Sequence, residues 1–195
     1  MKLIALVFAA VAVGGSGDWR AVRDDGVSVR FAPSWFATTR PLTPVTYPQQ
    51  VVAIASYPLP RGSAGANGCT PEGALERLPA TGAFVFGWEY ARPSPFGTIR
   101  ARDFPPRPRH FRLGHYAAYE CLGPSYRLVF RQAGRFFQIH VVLGPKATGE
   151  TRARVLRIID SFAAKRRRCA ALGVRAVPSG LRREQPFPVP GQAAG

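Results

Sequence analysis

At 195 residues the chain can bury a real core, but only for one domain of ordinary size with extensions at its ends. Apolar residues make up 46% and aromatics 11%, which excludes a disordered polymer for the central part. The formal charge of +16 is nearly all arginine, because lysine occurs only at Lys2, Lys146 and Lys165. Ala, Gly, Pro and Arg together fill nearly half the chain, as a GC-rich coding sequence dictates without selection for binding. Such a surface attracts phosphates, anionic lipids and acidic polymers alike, less so as salt rises, so charge alone names no partner.

Residues 1–17, MKLIALVFAAVAVGGSG, carry one lysine, an apolar run and then small residues. That is the pattern of a short secretory signal, with Ala10-Val11-Ala12 as a small-x-small cleavage site, and it sets the expectation of export. The run is too short to cross a bilayer, which takes ~20 apolar residues. The competing reading is an N-terminal strand at a sheet edge.

A single α+β domain is expected over residues 18–164. Residues 19–23 read as a short strand and Asp24-Asp25-Gly26 as a hairpin turn, glycine tolerating positive φ. Val27, Val29 and Phe31 then alternate with Ser28 and Arg30, the period of a half-buried strand. Pro33 has no N–H to donate and stops that pairing, which Trp35 and Phe36 resume. Residues 51–57, VVAIASY, form a near-continuous apolar run suited to a central strand. After the glycine-rich loop at 61–69, Thr70-Pro71-Glu72 predicts a short helix to about Leu78, with Thr70 as the capping hydroxyl.

Residues 83–90, AFVFGWEY, predict a strand with Phe84, Phe86, Trp88 and Tyr90 on one face. Residues 91–112 are rich in Pro and Arg and predict a long irregular excursion. Strands over 116–122, 126–132 and 135–143 predict a meander with turns at Gly123-Pro124-Ser125 and Ala133-Gly134. In the last of them Phe137, Ile139, Val141 and Leu143 share one face, and Gln138 and His140 the other. Residues 151–162 predict an amphipathic helix: Val155, Leu156, Ile158, Ile159 and Phe162 give a buried stripe, with Arg152, Arg154 and Arg157 outside it. Thr148 or Thr151 suits its cap. The aromatic stripe of Phe84, Phe86, Trp88 and Tyr90 is then the natural face for this helix to cover. Residues 165–195, basic and rich in Pro and Arg, read as a disordered tail.

The opening strand with Gly26, Val27, Phe31, Pro33 and Trp35, and the closing helix with Ile159, Ser161 and Phe162, resemble the PsbP-like superfamily. Its members include an extrinsic photosystem II protein of the thylakoid lumen, exported bacterial lipoproteins and a Ran-binding nuclear import factor. The resemblance covers about 20 residues directly. It implies an α/β/α sandwich around an antiparallel sheet and a non-enzymatic binding or assembly role. The matching positions look structural, so the resemblance transfers no functional residue.

Candidate chemistry is sparse. Cys69 in the glycine-rich loop and Cys121 on a strand allow a disulfide in an oxidising compartment; the alternative is a buried thiol at Cys121 and an incidental one at Cys69. Cys169 falls in the tail. The sequence carries no zinc spacing and no cofactor fingerprint. His110, His115 and Asp103 lie near one another in sequence, but match no catalytic or metal motif. Glu89 and Glu120, on separate strands, would need to approach each other to act as a carboxylate pair. Ser125 sits in a turn. The best ligand- or partner-contacting surface is residues 104–113, FPPRPRHFRL, where Arg107, Arg109, Arg112 and His110 are held on an extended segment. Lys165 to Arg168 complement the negative end of the closing helix.

The sequence therefore favours an exported, non-catalytic binding or assembly domain with a protein or anionic surface component as partner. The alternative is a cytoplasmic nucleic-acid-binding protein using Arg107, Arg109, Arg112 and residues 165–168. The third reading is a hydrolase-type enzyme centred on His110 or His115.

Overall fold

The computed structural model describes residues 18–63, 68–90, 94 and 98–167. The apolar N-terminal segment, Arg168, Cys169 and the rest of the expected tail lie outside the described residues.

The opening hairpin pairs β1 (Arg20–Asp24) with β2 (Val27–Phe31). Asp25 and Gly26 both take positive φ (41° and 74°), the turn geometry that Asp-Gly favours. Val27, Val29 and Phe31 are buried as the alternation predicts. Past Pro33 the chain does not resume the same pairing. It crosses into a second sheet, where β3 (Phe36–Thr38) is an edge strand beside β4 (Gln49–Ala55). Next come β5 (Ala83–Tyr90), β6 (Tyr116–Tyr119), β7 (Gly123–Gln132) and β8 (Arg135–Leu143). The large sheet is antiparallel and runs β3-β4-β5-β8-β7-β6. A last two-residue strand, β9 (Ala163–Ala164), joins β2 to complete the small sheet β1-β2-β9.

Two α-helices accompany these strands among the described residues, which makes the chain α+β. The first, α1, covers only Glu72–Leu75 and Pro71 caps it without a side-chain bond. The expected helix to Leu78 is thus shorter, and Thr70 does not cap it; the seven residues between Pro71 and Pro79 leave too few intrahelical bonds to offset nucleation well, and only one turn forms. The second, α2 (Gly149–Asp160), is capped by Thr148, whose side chain accepts the Thr151 N–H.

Both faces of the large sheet are covered. On one, Val155, Ile158, Ile159 and Phe162 pack with Val85, Phe137, Ile139 and Val141 and with Val27, Val29 and Phe31 of the small sheet. On the other, Phe84, Phe86 and Trp88 pack with Leu42, Tyr57, Ala74 of α1 and Leu122. The aromatic stripe is core, but α2 lies on the opposite face from it. Strand β5 is buried from Ala83 to Glu89, on both faces, so its alternation does not mark the side that receives the helix.

Two further expectations shift. The β6–β7 turn falls at residues 120–122, so Gly123 to Ser125 belong to β7 and Cys121 sits in the turn with φ 75°. Lys165 to Arg167 follow β9 rather than the end of α2, and the Lys165 N–H donates to Gly26 O at 2.9 Å.

Candidate functional site

Residues 104–111 of the expected Pro/Arg excursion are built into the domain, while its residues 91–93 and 95–97 lie outside the described residues. Phe104 stacks edge-on against Phe136 on the α1 side of the sheet, whereas Phe111 packs against Phe130 on the α2 side. Between them Pro105 and Arg107 exchange hydrogen bonds with the Arg131 backbone, so this stretch wraps the margin of the sheet beside β7.

What anchors it is the C-terminal end of α2. Helix carbonyls there lack intrahelical partners and carry partial negative charge, a poor setting for a carboxylate. Asp160 nevertheless occupies that turn, and the excursion supplies its partners. Arg107 donates to Asp160 O (2.5 Å), Phe162 O (3.1 Å) and Pro108 O (2.9 Å). The Phe111 N–H donates to Asp160 Oδ1 at 2.7 Å, and His110 Nδ1 lies 3.3 Å from Oδ2. On the other side of Asp160 a cleft of about 330 Å³ is lined by Trp19, Arg30, Arg157 and Ser161. Ser161 accepts the Arg30 N–H at 2.8 Å and donates to Ile158 O at 2.6 Å.

Of the four residues singled out in the sequence, Arg107 is therefore consumed in holding the fold. Arg109 and Arg112 are exposed on the anchored loop, and His110 is paired with Asp160. Asp103 is exposed in a 3-10 turn 4.0 Å from Arg102, and His115 is exposed ahead of β6. Among the described residues no hydrogen bond or ion pair joins His110 to either. Sequence reasoning missed Asp160, Arg30, Arg157 and Trp19; the signal available was the carboxylate itself, misplaced at a helix C-terminus.

The two strand carboxylates are not brought together. Glu89 binds Arg135, and Glu120 is exposed in the β6–β7 turn. Strands β8 and β7 separate β5 from β6, and the register aligns Glu89 with Phe130 of β7 but sets Glu120 beyond Gly123, about seven residues or ~23 Å further along, so the two carboxylates are far apart. Ser125 is fully buried on β7, where its Oγ meets His140 Nδ1 at 3.0 Å. Gln138 fixes the roles in this group. Its Oε1 accepts the Tyr90 hydroxyl at 3.1 Å and its Nε2 faces His140 Nε2 at 2.5 Å, so Nε2 of the imidazole accepts and Nδ1 carries the proton. Nδ1–H then donates to Ser125, which is the wrong direction for activating that hydroxyl. Burial, reinforced by Arg127, lowers the His140 pKa to about 4.

Cys69 and Cys121 are joined as a disulfide with Cα atoms 5.0 Å apart. The bridge ties the loop ahead of α1 to the β6–β7 turn across the aromatic core. Among the described residues no group of three His, Cys, Asp or Glu side chains is placed to hold a metal. No helix there is long and apolar enough to cross a membrane. No protein-family model, curated protein or solved structure matches the chain.

Proposed function

We propose that the chain is an exported, non-catalytic domain of PsbP-like type that binds a protein or an anionic surface component. Three features support this reading. The helices α1 and α2 lie on opposite faces of an antiparallel sheet, a reduced form of the α/β/α sandwich that the resemblance implies. The Cys69–Cys121 bridge suits an oxidising compartment. The observation that carries the binding role is the anchored loop: two bonds from Arg107, to Asp160 O and Phe162 O, hold a scaffold on which Arg109 and Arg112 stay exposed. Guanidinium groups presented on a fixed backbone lose less entropy when they engage an anion.

Two measurements test the reading. Intact mass of the protein from its own cells reports location: loss of the N-terminal segment with one bridge supports export, and a full-length chain with three free thiols sinks it. Retention on polyglutamate and on phosphatidylglycerol vesicles reports binding. It is expected to weaken with salt and in the Arg109→Gln/Arg112→Gln variant. Retention on neither, or equal retention of variant and wild type, contradicts the assigned surface.

A further inference from the structure

The edge strand β3 borders a second surface of different character. A cleft of about 340 Å³ is lined there by Phe31, Phe36, Leu59 and Pro60 together with Arg20, Arg40 and Arg61. Its walls come from both faces of the sheet, since Ala37 packs on the α2-side core and Leu59 on the aromatic one. The cleft thus follows the outer margin of β3, where among the described residues one side of the strand has no strand neighbour.

Two properties distinguish it. Phe36 is 42% exposed, one of two large apolar side chains so exposed among the described residues. Three arginines line the cleft and no carboxylate does, whereas the clefts beside Glu89, Asp160 and Asp24 each include one. Arg20 is partly engaged, donating to Trp35 O and stacking over Phe31 at 4.8 Å. Among the described residues neither Arg40 nor Arg61 pairs with a carboxylate, and both are exposed.

We propose that this cleft docks an extended acidic segment of a partner protein along β3. The open strand edge supplies main-chain pairing, Phe36 takes an apolar side chain, and Arg40 and Arg61 take carboxylates. A strand-shaped groove with arginines at its rim matches a peptide better than a flat lipid surface does. The inference rests on the reading above that the domain binds a protein, and assigns the surface and the chemistry.

The test is a fluorescence-anisotropy titration of the full chain with a short labelled peptide alternating glutamate and leucine. Lysine–leucine peptide and phosphatidylglycerol vesicles serve as comparisons. The acidic peptide is expected to bind, the basic one not. Arg40→Gln/Arg61→Gln is expected to weaken binding roughly five- to tenfold, and Phe36→Ser about tenfold. Arg77→Gln, at an exposed arginine outside the cleft, is expected to leave peptide binding unchanged. Binding that is lost only in the Arg109/Arg112 variant overturns this inference and leaves the broader reading standing. Binding to vesicles that depends on Arg40 and Arg61, with none to the peptide, also overturns it. No binding to acidic peptide or vesicles defeats both.

Discussion

Arg135 and Glu89 meet across the β5–β8 pair as a buried two-pronged ion pair, Nε to Oε1 at 2.7 Å and Nη2 to Oε2 at 2.5 Å. Their side chains are 5% and 4% exposed. The Glu89 bond holds the Arg135 pKa above its ordinary value, against the opposing effect of burial. Arg135 also donates to Asp25 O in the first hairpin turn and to Lys165 O after β9, so one guanidinium ties the large sheet to the small one. Arg167 adds a contact to Asp25 at 2.6 Å and to Glu89 at 3.2 Å.

Removing one partner of such a pair leaves a charge stranded in the core. Glu89→Ala is expected to cost about 3–5 kcal/mol in urea unfolding. The double change Glu89→Leu/Arg135→Met is expected to cost clearly less than that single change, because no charge is then left buried. A double variant as unstable as Glu89→Ala contradicts this account.

The disulfide closes a loop of 52 residues in the unfolded chain. Loop-closure entropy puts its contribution at about 4 kcal/mol, with engineered and native bridges commonly delivering about 2–4 kcal/mol. Reductant, or Cys69→Ser/Cys121→Ser, is therefore expected to lower the thermal midpoint substantially. An unchanged midpoint would mean that the aromatic core holds the two loops unaided.

What the sequence disclosed, and what it withheld, follows from how far each signal reaches. Val27, Val29 and Phe31 face one core because β2 is buried on alternate residues only, and α2 announces itself by its 3–4 spacing. The side of the sheet that α2 covers was not legible, because β5 is buried on both faces and β8 nearly so. Gly123-Pro124-Ser125 reads as a turn by composition, yet it begins β7; the turn lies just before it, with positive φ at Cys121 (75°), held by its bridge to Cys69, as well as at Gly123 (60°). The loop with Arg107 reads as irregular because its order depends on Asp160, distant in sequence and close only in the fold. Phe36 and its arginines come from three separate stretches of chain, which no local pattern unites.

His140 makes stability depend on pH. Its pKa is about 4 in the fold against 6.5 for an ordinary histidine, with desolvation the main cause and Arg127 the second. The unfolded chain therefore takes up the proton first as pH falls. The contribution is fully present above about pH 6.5, declines between there and pH 4, and totals about 3 kcal/mol at most. Urea midpoints across that window are expected to fall less steeply in His140→Gln than in the wild type. Parallel curves would show that other groups govern the acid limb.

Gly144 sits where a side chain has no room. A Cβ there would press into the carbonyl oxygens of Pro79 and Ala80, backbone atoms that cannot swing aside. The neighbouring bonds Gly144 N–H to Gly82 O (2.9 Å) and Lys146 N–H to Ala80 O (2.7 Å) fix that approach. Gly144→Ala is expected to destabilise by about 3 kcal/mol. Gly149→Ala, at a position with nothing within 4 Å of the added carbon, is the matched control and is expected to change little.

The Asp160 anchor predicts which parts of the arginine loop stay ordered on their own. The Phe111 amide gives its proton to a carboxylate, and bonds to charged groups contribute about 1.5–3 kcal/mol. Asp160→Ala is expected to speed hydrogen exchange at the Phe111 amide about 10- to 100-fold while leaving the β5–β8 ladder protected. Arg107→Ala is expected to do the same at the Arg107 amide, which donates to Arg131 O at 3.0 Å. His110→Ala removes only an exposed imidazole, 72% accessible, and is expected to leave both amides protected. Protection retained in Asp160→Ala would mean that Phe111 packing alone fixes the loop, and the arginines at 109 and 112 would then owe their placement to the core rather than to the helix end.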